Sequence, residues 1–83
     1  MNARQFYEAR AKSIVKDLRE DKGLSYRELA RRLSDLGLPV DEQVLINRLN
    51  RGRFSFAFAL QVLAAMEVDV VAVPKPTSRT KAR

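Results

Sequence analysis

The sequence predicts an all-α domain of four to five helices. Three observations carry that prediction. Apolar residues recur at three- and four-residue spacings along most of the chain. Each of the three glycines, Gly23, Gly37 and Gly52, follows such a run, where a helix end favours a left-handed residue. Serine or aspartate stands just before the second, third and fourth runs, as helix N-caps require.

The first helix is expected over residues 3–22, with Tyr7, Ala11, Ile14, Val15 and Leu18 on one face. The second spans 25–36. Ser25 and Glu28 have the spacing of a capping box, with Leu24 and Leu29 placed as a hydrophobic staple. Its apolar stripe continues through Ala30, Leu33 and Leu36. The third spans 41–51, capped by Asp41, with Leu45, Ile46 and Leu49 inward. The fourth spans 55–66 behind Ser55 and has almost no polar face, so both of its sides need cover. Val68–Val73 is rich in β-branched residues and suits a short C-terminal β-strand. Pro74 and Pro76 end any such strand. The domain is therefore placed at 1–73 and a basic, disordered tail at 74–83.

With 83 residues there is room for one domain. A chain of this size buries only about 60% of its unfolded surface, which makes a homodimer a reasonable expectation. Cysteine and histidine are both absent. That removes disulfides, thiolate zinc sites and most nucleophile and general-base arrangements. No glycine-rich phosphate loop is present, and Glu8, Asp17, Glu20 and Asp21 read as solvating charges. No enzymatic activity, metal or cofactor is expected. Residues 1–10 lack the apolar core of a signal peptide, and no run reaches transmembrane length. A cytoplasmic, nucleoid-associated location is expected, with no membrane partner. The net charge is +6, which favours nucleic acid as partner. Lys75, Arg79, Lys81 and Arg83 lie in a tail without acids and supply most of that excess.

Two short capped helices joined by a turn, within a small bundle, suggest a helix-turn-helix. The residues add to this. Leu18 to Ala30 runs through Gly23-Leu24-Ser25 and Glu28-Leu29-Ala30. This segment resembles the opening of the Cro/C1-type (XRE-like) helix-turn-helix family. Ile46 to Gly52 is similar to the end of that family's recognition helix, and Phe56 to Val68 to its fourth helix. The resemblance covers residues 12–70. It departs in two places. The stretch from Ala30 to Gly52 is about six residues longer than the family's, where the general motif has a turn of three or four. Asn50 stands where the family often has an acid paired with a basic residue at the position of Arg19.

The resemblance implies that the third helix enters the major groove of double-stranded DNA. Gln43, Val44, Asn47 and Arg48 are then the candidate base contacts. Gln and Asn suit adenine, Arg suits guanine, and Val meets a thymine methyl; the alternative place for Val44 is the core. Ser25, Arg27, Arg31, Arg51 and Arg53 are the candidate phosphate contacts, and Arg32 is a weaker one. Phe58, Val62 and Ala65, with Val70 and Val71, are the candidate dimer interface. The leading expectation is a homodimeric repressor reading a palindromic site. Two readings compete with it. One is a protein-interaction module using the same scaffold, which fold alone does not exclude. The other is a nonspecific architectural binder, marked by a specificity ratio near one.

Overall fold

The computed structural model describes residues 2–69 and contains four helices: α1 (Ala3–Asp21), α2 (Tyr26–Asp35), α3 (Glu42–Arg51) and α4 (Phe56–Ala65). No strand occurs among the described residues. Each helix lies within one residue of its expected bounds, because local chemistry fixes the ends. Ser25 accepts from the Glu28 N–H, Asp41 from those of Gln43 and Val44, and Ser55 from that of Phe58. Each bond satisfies donors that a helix start leaves unpaired. The complete capping box is elsewhere, at Asn2 and Gln5 before α1, where both reciprocal bonds form. At α2 the box is only half made, because the Glu28 carboxylate turns to Arg31 and Arg32 instead of the Ser25 N–H.

Three of the four helix ends share one device. After α1 and α2 the left-handed residue is Gly23 and Gly37, and the amide one residue further on bonds back to Arg19 or Leu33. After α4 the same pair of bonds forms, from Glu67 to Ala64 and from Val68 to Leu63. There the left-handed residue is Glu67, with φ 60°. A side chain at that φ costs roughly 1–2 kcal/mol. Gly52 carries a further constraint. A Cβ there would overlap the backbone carbonyl of Glu8, whereas Gly23 and Gly37 face open space. Gly52 therefore sets how closely α3 seats on α1.

The core is one cluster built from every helix: Val15 from α1, Leu24, Leu29 and Leu33, Leu45 and Leu49 from α3, and Phe58, Val62, Ala65 and Met66. Leu29, Leu33 and Leu45 are essentially inaccessible. Truncating a leucine in such a place to alanine costs about 2–5 kcal/mol. Arg32 fastens α2 to α4 by donating to the Ala65 carbonyl at 3.2 Å, a cation placed at the negative end of a helix. The expected stripes are corrected at two positions. Leu36 follows α2 as its C-cap and is 53% exposed; Tyr7 is 46% exposed.

The expected dimer face is also corrected. Phe58, Val62 and Ala65 point into the core and are 9%, 0% and 4% exposed. An all-apolar helix gives no sequence signal for its inward side, and the inward side is this one. The side of α4 left outside carries Phe56 and Leu60. Val70 and Val71, the remaining dimer candidates, lie outside the described residues, as do the tail and most of the expected strand. No described helix is long and apolar enough to cross a membrane.

Candidate nucleic-acid interface

α3 is held by Leu45 and Leu49 on its buried side. At roughly 100° per residue, this setting turns Gln43, Asn47, Asn50 and Arg51 outward, and all four are exposed. Gln43 Nε2 donates to Asn47 Oδ1 at 3.2 Å. This i,i+4 bond aligns two amide side chains in one row. Gln43 keeps its carbonyl oxygen free, and Asn47 keeps its amide group. Both donor and acceptor functions thus remain available at adjacent turns.

Val44 is 47% exposed and so lies outside the core. Arg48 sits on the flank of α3 that faces α4. Its guanidinium lies 4.5 Å from the centre of the Phe58 ring, a cation–π stack. Phe58 is in turn packed edge-on against Phe54, with ring centres 5.9 Å apart. The stack restricts Arg48 while leaving its N–H edge free to donate. Of the four expected base-contact residues, Gln43 and Asn47 lie on the outermost row, and Val44 and Arg48 border it. Asn50 belongs with that row and was not among them. Its exposure follows from its place on the side of α3 turned away from Leu45.

The expected phosphate-contact residues divide sharply. Arg51 is exposed and forms no ion pair among the described residues, and the same holds for Arg48. Arg27 is 90% exposed, with one long contact of 3.8 Å to Glu42 across the α2–α3 gap. Arg53 lies 3.5 Å from Glu8, which also meets Arg4 at 3.6 Å. Exposed pairs of this length contribute little and yield readily to a competing anion. Ser25 is exposed at the start of α2, its oxygen occupied by the Glu28 N–H.

Arg31 is different. It donates to Glu28 at 2.6 Å and to Asp35 at 2.8 Å. Glu28 also accepts from Arg32 at 3.2 Å. The hydrogen bonds from Arg31 and then Arg32 hold the Glu28 carboxyl at about 2, well below its ordinary 4.5. Glu28, and to a lesser extent Asp35, push the Arg31 guanidinium upward. Two arginines and two carboxylates neutralise one another, so Arg31 and Arg32 are occupied within the fold. Arg19 is occupied as well. It donates to the Leu24 carbonyl at 2.7 Å and lies 4.0 Å from the centre of the Tyr26 ring. No bond joins it to Asn50, which stands where the resembling family often has an acidic partner for this position.

The described residues contain no group of three or more acids that could hold a metal ion. Exposed cations without an ion pair among the described residues include Arg48 and Arg51 on α3 and Lys12 and Lys16 on α1.

The fold and its surface define a small four-helix domain with an exposed polar and basic third helix. The chain belongs to the family described as "Domain of unknown function (DUF6471)", whose model matches residues 7–71. No curated protein matches the chain. No solved structure matches it.

Proposed function

We infer that this domain is a non-enzymatic, sequence-reading DNA-binding module of the helix-turn-helix kind, acting as a transcriptional regulator in the cytoplasm. The observation that carries the reading is the outward row of α3. Gln43, Asn47 and Asn50 offer amide groups at helical spacing, and Arg51 offers a free guanidinium beside them. Asn and Gln amides pair with adenine N6 and N7 in the major groove, which admits an α-helix. Arg27, Arg48 and Arg53 border the row and suit the phosphates on either side. The likeness of Leu18–Ala30 and Ile46–Gly52 to the Cro/C1-type family supports the same reading.

The connection from Leu36 to Asp41 separates α2 from α3 by more residues than the general motif uses. The proposal therefore rests on α3 and its borders, not on a transferred docking geometry.

Selection of random-sequence duplex DNA by the purified protein at two salt concentrations tests the reading. Enrichment of one sequence, with affinity falling steeply as salt rises, is the expected result. A palindrome would mean two copies on the site, and an unpaired half-site one. Salt-sensitive binding without enrichment would replace this reading with architectural binding. No binding at low salt would end it.

A further inference from the structure

The surface carries one apolar feature that the DNA reading does not use. Between α1 and α4 runs an open groove of about 560 Å³, lined by Tyr7, Arg10, Ile14, Phe56, Leu60 and Leu63. Phe56 is 77% exposed and Leu60 50%. Apolar side chains clustered this way on a small domain mark a surface that something covers. The groove also holds a polar demand. The Arg10 Nε is buried and has no hydrogen-bond partner among the described residues. A buried donor left unpaired is costly, so the occupant should bring an acceptor.

Three observations identify the occupant. Asp69, the last described residue, itself lines the groove. The residues that follow it are Val70-Val71-Ala72-Val73, apolar and β-branched, ended by Pro74. The family match extends to residue 71, so the start of this run belongs to the domain and not to its tail.

We propose that the groove is the docking site of the chain's own segment Val70–Val73. The segment begins next to Asp69, which lines the groove, and supplies both apolar cover for Phe56 and Leu60 and an acceptor for the Arg10 Nε. Docking within one chain needs no linker, because the segment begins at the groove, so little loop-closure entropy opposes it. This occupancy also explains how α4 can be apolar on every side. One side packs into the core and the other lies under the chain's C-terminal run. The inference is independent of DNA binding, which uses α3.

Isotope-filtered NOE spectroscopy on the full chain, in an equal mixture of labelled and unlabelled protein, tests it. Cross-peaks within one molecule, from the methyls of residues 70–73 to the Tyr7 and Phe56 rings, are expected. Cross-peaks only between molecules would overturn the proposal in favour of a second copy in the groove, and their absence would overturn it outright. Val71→Asp gives a second readout. It should lower Tm by about 5 °C or more and raise binding of an apolar dye. An unaltered Tm would count against docking.

Discussion

α2 and α3 are both ten-residue helices, and both are rich in arginine. Arg27 aside, they use it in opposite ways. On α2, Arg31 is clasped by Glu28 and Asp35, and Arg32 by Glu28 and the end of α4. On α3, Arg48 and Arg51 meet no acid among the described residues, and Arg48 only leans on an aromatic ring. A count of cations treats the two helices alike. What distinguishes them is the charge left after acids three and four residues away have been served. That remainder, with the amides of Gln43, Asn47 and Asn50, marks α3 as the surface with something still to bind.

The contrast can be broken most severely at Gly52, which seats α3 on α1. Gly52→Ala should destabilise the domain by about 3 kcal/mol, combining left-handed strain with overlap against Glu8. Gly37→Ala, with the same sign of φ and open space around it, should cost about 1 kcal/mol. Urea unfolding of the two variants measures the difference. Equal losses would mean that the α1–α3 contact is looser than described.

On the binding side, Asn47→Ala should remove about 1–3 kcal/mol of discrimination at one base position. The readout is competition between the selected site and single-base variants of it. Arg51→Gln should instead weaken binding to every sequence and flatten the slope of log affinity against log salt by about one. Arg31→Gln should leave that slope unchanged, because its charge is already spent on Glu28 and Asp35. Equal effects at Arg31 and Arg51 would erase the distinction between the helices.

Smaller effects concern the scaffold. Glu67→Gly should raise stability by about 1 kcal/mol by relieving a side chain at φ 60°, read from the thermal midpoint. Acid should loosen the α2 cluster. The Glu28 carboxyl sits at about 2 in the folded chain, below its ordinary 4.5. Its stabilising contribution is complete above about 4.5 and is lost as pH falls toward 2. Glu28→Gln should therefore flatten the fall of Tm over that window; an unchanged pH profile would show that the pairing contributes nothing in solution.

The sequence made six of the eight helix ends legible because each is written in a single residue: Ser25, Asp41 and Ser55 at starts, Gly23, Gly37 and Gly52 at stops. It made the amide row on α3 largely legible too, through Leu45 and Leu49. Choices among several partners were not legible. Glu28 has the spacing to cap Ser25 and also the spacing to meet Arg31 and Arg32, and the guanidinium pair wins. Arg19 lacks the Cro/C1-type family's acidic partner at Asn50 and turns instead to the Leu24 carbonyl and the Tyr26 ring. α4 is the clearest case. With apolar residues all round, its pattern carries no direction, and only packing reveals that Phe58 and Val62 go in while Phe56 and Leu60 stay out.

The central claim is that the outward row of α3 reads DNA. It is tested most directly by following backbone amide resonances while a selected duplex, or a random one at low salt, is added. The account predicts that the largest shifts fall on Gln43, Asn47, Asn50 and Arg51, with smaller ones at Arg27 and Arg53 and none at Arg31. Shifts concentrated instead along Tyr7, Phe56 and Leu60, or no shifts at any concentration of duplex, would contradict it.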